Sequence, residues 1–402
     1  MKHRLLFISL SLLSLALVPT ALASTTWYVD DVNGSDSNDC KSSTTACKTI
    51  GHAISLASSG DSIMVAAATY TENLTISIGL EILGSGASTT IIDGGGVGKV
   101  MTIKAGASVT VSNVTIQHGF TCNNGGGINN HGRLTINKGI VSGNFALGSG
   151  GGVYSGGTLK LTNTTIRGNT AGGFACGGYG EGSGGGVYNG GTLTILASTI
   201  NGNAASGPSC GLFCGGHASG GGVYNSGALT VVNSTITENS ANAFGKFSAG
   251  GGGGVENSSG TVSISNSTVS GNGASGSILG VGAGINGPAT VQNSIISSNT
   301  GENCSGTITS NGYNLSSDRT CNFNNTGDLN STDPKLGPLQ NNGGPTQTQA
   351  LLSGSPAIDA GNPSGCTDGQ GHLLKTDQRG RPRPDKEDTG GCDMGAFERQ
   401  SD

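Results

Sequence analysis

The chain is short of charge and short of rings. Asp, Glu, Lys and Arg make up 11% of its 402 residues, aromatic side chains 4%, and there is a single Trp. With a formal net charge of −5 and no basic stripe, it has little to offer a phosphate backbone, which argues against nucleic acid as a partner. Beyond the N-terminus no run is apolar enough to cross a bilayer. Metal-ligand spacing is also missing. Cys210-x3-Cys214 has only His217 close by, and no second ligand pair follows at zinc-like distance.

The N-terminus itself has the layout of an export signal. Met1-Lys2-His3-Arg4 precedes an apolar run from Leu5 to Val18, and Pro19-Thr20-Ala21-Leu22-Ala23 supplies an A-x-A-like site, with cleavage expected after Ala23. The run is short for a membrane span and has no stop-transfer pattern. No Cys follows the cleavage site, which argues against a lipoprotein. The protein is therefore expected to be secreted or extracellular, with association at the cell surface as a variant of that reading.

What the chain has in excess is glycine, 75 residues of it. Without order such a composition would signal disorder, but these glycines recur with a period. Gly150 to Ala171 forms one copy of a motif of about 22 residues. Gly184 to Ala205, Gly220 to Ala241 and Gly252 to Ala274 are others, and Gly125 to Ala146 and Gly282 to Gly301 are weaker copies. A period this short excludes a βα unit and suits one coil of three short strands.

Aligned on the glycines, the copies yield apolar columns. Ile128, Val153, Val187, Val223, Val255 and Ile285 form one. Leu134, Leu159, Leu193, Leu229 and Val262 form a second. Ile136, Leu161, Ile195, Val231, Ile264 and Val291 form a third, and Val141, Ile166, Ile200, Ile236, Val269 and Ile296 a fourth. Alternation of apolar and polar residues between the second and third columns is the mark of strands with one buried face. The predicted fold is all-β: a right-handed, single-stranded parallel β-helix whose coils stack about 4.8 Å apart. Two Asn columns are assigned to its corners. One holds Asn113, Asn163, Asn233, Asn266 and Asn293, with Lys138 and Ala197 as exceptions; the other holds Asn144, Asn169, Asn203, Asn239, Asn272 and Asn299. Asn tolerates the left-handed backbone of tight bends, and stacked amides bond along a ladder. The ladder explains the period of Asn163-Thr-Thr and Asn233-Ser-Thr better than glycosylation does.

Segments of variable length enter the repeat at one place, between the closing Ala and the next glycine triplet, so they project from one side of the solenoid. Ten cysteines, an even number in a chain with an export signal, point to disulfides. Cys40–Cys47, Cys304–Cys321 and Cys366–Cys392 are the expected local pairs. Cys122, Cys176, Cys210 and Cys214 lie in or near the loop rim, and their pairing is left open.

The two ends depart from the repeat. Residues 24–74 are assigned to an N-terminal cap with a strand at Trp27-Tyr28-Val29 and a short helix within Lys48–Ala57; residues 75–301 to the repeats; and residues 302–402 to an irregular C-terminal region. In the cap, Tyr28-Val-Asp, Gly34-Ser-Asp36-Ser-Asn38, Lys48-Thr-Ile50, Gly60-Asp61-Ser-Ile63 and Thr69-Tyr70 follow one another. This order resembles the N-terminal segment of many pectin-lyase-like β-helix proteins. The last hundred residues contain Asp333-Pro-Lys-Leu336-Gly-Pro-Leu339, Asn342-Gly-Gly-Pro345-Thr, Gly354-Ser-Pro-Ala-Ile-Asp359-Ala-Gly361, Asp377-Gln-Arg-Gly380 and Met394-Gly-Ala-Phe-Glu398. Together they resemble the choice-of-anchor Q domain of bacterial surface β-helix proteins. That resemblance implies an exported surface protein and brings no catalytic residues. No anchor motif follows Glu398, so release or non-covalent retention is expected.

Pectin-lyase-like folds often belong to polysaccharide lyases and glycoside hydrolases, but a fold does not assign a function. Glycoside hydrolysis calls for two carboxyls at a set separation, and calcium-assisted lyases for clustered carboxylates with a Lys or Arg base. The outward column of the third strand reads Ser142, Arg167, Asn201, Thr237, Ser270 and Ser297. Its neighbour holds one acid, Glu238, about 10 Å from Arg167 along the axis. His118-Gly119 and His131-Gly132 are isolated and read as surface residues beside turns. The acidic run Asp30–Asp39 is the one place where calcium is an alternative, but it lacks the Glu of an EF-hand loop, and turn chemistry accounts for it. No cofactor is otherwise expected. Tyr154, Tyr188 and Tyr224 each follow an inward Val and are predicted to point outward in register, as a cross-strand aromatic ladder or as a platform for sugar rings or a partner protein. The expected function is a non-catalytic extracellular binding or adhesion module, with carbohydrate as one ligand. A polysaccharide lyase or glycosidase and a passive spacer are the alternatives.

Overall fold

The computed structural model describes residues 24–208, 216–245, 248–276, 282–386 and 391–400. The expected export signal, Cys210 and Cys214 lie outside the described residues. Among the described residues the chain winds through three long parallel sheets, visited in the same order on every turn. In one coil, Ile128–Asn130 belongs to sheet III, Arg133–Asn137 to sheet I and Ile140–Ser142 to sheet II. Sheet I has eleven strands, sheet II ten and sheet III nine, each stacked in sequence order. Parallel pairing starts at Thr26–Val29 and continues to Leu315–Ser316, so the ladders pass both ends of the repeat span. The chain is a parallel β-helix solenoid.

The apolar columns are the core. Val153 sits in register between Ile128 and Val187, Leu159 between Leu134 and Leu193, and Ile166 between Val141 and Ile200. All are buried in one continuous cluster running from Trp27 to Phe323. Each such side chain contributes roughly 1.5–3 kcal/mol on burial. β-Branched residues suit this position because their stiff rotamers match the pleat.

The two Asn columns divide the work that sequence reading had assigned to both. The first makes the bend from sheet I to sheet II: Asn113, Lys138, Asn163, Ala197, Asn233, Asn266 and Asn293 all have left-handed backbones, with φ between +46° and +57°. The second is a buried amide ladder. Asn144 Nδ2 donates to Asn169 Oδ1 at 2.9 Å, Asn169 to Asn203 at 2.9 Å, Asn203 to Asn239 at 2.9 Å, and Asn239 to Asn272 at 3.0 Å. The backbone N–H of each also reaches the next amide oxygen, as from Asn169 to Asn203 at 3.1 Å, so no buried amide is left unpaired along this run. Glycine is required beside it: a Cβ on Gly152 would lie 2.6 Å from the carbonyl oxygen of Gly186 and 3.0 Å from the Asn169 amide.

The N-terminal end is closed by the expected strand, Thr26–Val29, and by a helix at Ile50–Leu56. Asp61 holds this cap together. It accepts from the Trp27 indole at 2.9 Å and from the backbone of Thr25 and Ser58. Burial pushes its carboxyl upward, but these bonds outweigh burial and leave it below the usual range. Asp30 and Asp39 are occupied by local turn bonds, and Asp36 accepts from the backbone N–H groups of Lys48 and Thr49 at the start of the helix.

The C-terminal region does not simply sit on the last coil. It doubles back along the flank as a strap. Thr346 Oγ1 donates to the Ala197 carbonyl at 3.2 Å, and Gln378 bonds Thr199 at 2.9 Å and Thr235 at 2.7 Å. The bend amides hold it directly: Asn233 Nδ2 donates to Thr376 O at 2.7 Å, Asn266 to Thr367 O at 2.5 Å, and Asn293 to Asp393 O at 2.9 Å. The strap buries Thr237, Ser270 and Ser297, which the periodicity had placed in an exposed column. Disulfides join Cys40 to Cys47, Cys122 to Cys176, Cys304 to Cys321 and Cys366 to Cys392. Four such bridges suit an oxidising, extracellular environment.

Candidate functional site

Two outward surfaces carry the residues singled out by sequence. The first is on sheet III. Strand register places Tyr154, Tyr188 and Tyr224 in one column, continued by Glu256 and Asn286 and preceded by Asn129. Tyr154 and Tyr188 are stacked with centroids 4.8 Å apart and planes 10° from parallel; Tyr188 and Tyr224 are at 5.0 Å and 12°. The coil spacing alone sets this distance. His131 lies tilted against the first ring at 6.2 Å.

This geometry limits what the column can do. Only Tyr188 has both faces covered by neighbouring tyrosine rings, so a ligand running along the column meets mainly ring edges and a row of three phenolic hydroxyls at the coil repeat. None of these hydroxyls bonds to another described side chain or backbone group. Burial, and then the neighbouring Tyr188, raise the Tyr154 phenol above its ordinary value. At the far end burial also raises the Glu256 carboxyl, against the bond it accepts from Asn286 Nδ2 at 2.8 Å.

The loop rim beside the column is more regular than its variable lengths suggest. Thr170–Ala175 and Gly178–Gly180 form an antiparallel pair, and Cys122–Cys176 ties this loop to an earlier coil. Gly182–Ser183, His217–Ser219 and Ala249–Gly251 add a short parallel ladder. Ala205, Ala218, Ala241 and Ala243 make a small core beneath it. The recurring closing Ala was the signal for this layer. A further ladder went unread: Asn189 Nδ2 donates to Asn225 Oδ1 at 2.7 Å, and Asn225 to Asn257 at 2.9 Å. Its signal was the polar residue two places after each inward Val, and it fixes the strand that carries the tyrosines.

The second surface is sheet II. Arg167 and Glu238 are both exposed and no ion pair joins them. His118, read from sequence as isolated, is not. Its Nδ1 lies 2.8 Å from Asp93 Oδ2, and Asp93 also accepts from Gln117 Nε2 at 3.0 Å and from the Gly95 N–H at 2.8 Å. Burial raises the Asp93 carboxyl and these bonds more than reverse it, leaving it low. The pair borders a shallow basin of about 430 Å³ that also contains Phe120 and Phe145, stacked at 5.3 Å. Spatial neighbours one coil apart are about 25 residues apart in sequence, which hides such a pair from motif reading. The one cluster of metal-ligating residue types among the described residues is Cys40, Cys47 and His52. Its two sulfurs are bonded to each other and so are not available as thiolates.

No family model and no curated protein matches this sequence. Among solved structures the chain is similar to the crystal structure of pectate lyase Pel9A, with a TM-score of 0.54 and 15% identity, covering 94% of this chain and 98% of that one. The fold is a pectate-lyase-like parallel β-helix. At this identity the likeness concerns architecture.

Proposed function

We propose that the protein is a non-catalytic extracellular binding module that holds an extended polysaccharide along the tyrosine column. The supporting observation is the stacked row of Tyr154, Tyr188 and Tyr224 beside a loop wall. Three hydroxyls repeating with the coil match a polymer that also repeats, and the ring edges add apolar contact at low entropic cost. The resemblance of the last hundred residues to a choice-of-anchor Q domain supports retention at a cell surface. The test is retention of the mature chain on immobilised acidic and neutral polysaccharides, with and without calcium. Replacing the three tyrosines with Phe preserves the stack and removes the hydroxyls; replacing them with Ala removes both. Retention that falls at least tenfold in the Ala variant, with its thermal transition unchanged, supports the platform. Equal retention by the Ala variant and the parent rules it out.

A second reading is hydrolysis or elimination on a polysaccharide, favoured by one observation. Asp93 fixes His118 through Nδ1, which leaves Nε2 as a base at the edge of the basin. Chain cleavage of any polysaccharide in the panel, lost in His118→Gln, would replace the binding reading with this one.

A further inference from the structure

The strap shows how this solenoid recognises polypeptide. At three successive bends an Asn in left-handed conformation turns its amide outward and donates to a main-chain carbonyl of the strap: Asn233 to Thr376, Asn266 to Thr367 and Asn293 to Asp393. The same bend continues toward the N-terminus through Asn163, Lys138 and Asn113, with the same backbone conformation. There the strap has ended. Asn113 and Asn163 are partly exposed, Lys138 is exposed, and neither Asn side chain bonds to any described residue.

At the far end of this uncovered stretch the surface becomes apolar. Tyr28, Met64 and Leu83 stand in register on the outer face of sheet I. They line a pocket of about 270 Å³ that reaches Asn113. Met64, between Tyr28 and Leu83 in this row, is 37% exposed. Asn113 and Asn163 are two coils, about 10 Å, apart, a distance that three or four residues of extended chain cover.

We infer that this uncovered flank is a docking site for an extended polypeptide segment of a partner protein, held by the amides of Asn113 and Asn163 and anchored by one apolar side chain in the Tyr28–Met64–Leu83 pocket. The site continues an interface the molecule already makes with its own strap. The mode is main-chain recognition for affinity with one pocket for selectivity. It is independent of the tyrosine column, which lies on a different sheet.

The experiment uses the mature full chain and a phage-displayed library of linear peptides. Peptides enriched on the parent are synthesised and titrated against Asn113→Gly with Asn163→Gly, and against Met64→Asp. Glycine keeps the left-handed bend and deletes only the amide, so folding is preserved. The expected result is enrichment of peptides sharing one apolar position, with affinity about tenfold weaker for each set of variants and unchanged in the triple Tyr→Ala variant. Failure to enrich any peptide overturns the inference, as does binding indifferent to these substitutions. A dimer in solution that the glycine variants dissolve would assign the flank to a second copy and overturn it equally.

Discussion

The flank of this solenoid exists in two states within one molecule. From Ala197 to Asn293 it is covered by the strap: the amides of Asn233, Asn266 and Asn293 are buried and bonded to it, and Thr235 and Ser270 bond Gln378 and Gln349. From Asn113 to Asn163 the same bend stands open. The backbone is the same in both, so the difference lies in what the C-terminal region supplies. Gln378 bonds two successive coils, and Arg383 pairs with Glu398 at 2.6 Å and donates to Asn233 Oδ1 at 3.0 Å. Beside them Arg379 pairs with Asp377 at 2.8 Å and lies over the Phe397 ring. Repeats build a surface; a singular, non-repeating set of charges decides which part of it is closed.

Arg383→Met should separate the two halves most sharply. It leaves a buried carboxyl without its cation and Asn233 without a donor, at a cost of about 3–5 kcal/mol to strap docking. Hydrogen exchange should then rise at residues 376–386 and 391–398 and at Thr235 and Thr268, and stay unchanged around Asn163. Faster exchange along the whole solenoid would mean that the strap stabilises the core as well as the flank.

Alkaline pH should act in the same direction. Burial, and then the repulsion of Asp393, push Glu398 up to about 8 against the pull of Arg383, and burial pushes Asp393 up to about 6. Both acids are held above their unfolded values, so the folded strap keeps protons that the released strap gives up. Its stability is therefore full below the ordinary carboxylate range and is lost as pH rises through about 6 to 8. The N-terminal cap has the opposite sign. Asp61 is held low, so its contribution is present at neutral pH and is lost as pH falls through its lowered value. Exchange measured across pH should show the strap loosening toward base and the cap toward acid. Glu398→Gln should flatten only the alkaline limb.

A smaller, direct comparison is Asn→Gly at equivalent bends. At Asn233 it removes bonds to Thr376 and Arg383 and should cost about 1–2 kcal/mol. At Asn163 it removes none and should stay within about 0.5 kcal/mol. Equal effects at the two sites would show that the amide matters to the bend itself rather than to what lies on it.

The coil was legible because it repeats. Four apolar columns, two Asn columns and the tyrosine register all recur often enough to be aligned, and each stacks as its period requires. The cap was legible through its strand and helix residues. The strap was not. Gln378, Arg383 and Glu398 each occur once, and their partners lie roughly 140 to 180 residues earlier for Gln378 and 150 for the Arg383–Asn233 bond, beyond any local pattern. The Asp93–His118 pair escaped for a related reason: each half looks like an ordinary turn residue, and only coil stacking joins them.

A solenoid has no inherent length, since each coil contacts only its neighbours. The strap changes that for part of the molecule. Its bonds to Ala197, Asn233, Asn266 and Asn293 fall on four consecutive bends, so it works as a ruler laid against the stack. One coil added or removed beneath it would put every later mark out of step. The coils around Asn113 to Asn163 are measured by the Cys122–Cys176 bridge instead, so a turn gained or lost between its ends would part the two sulfurs while leaving the strap's own marks in step.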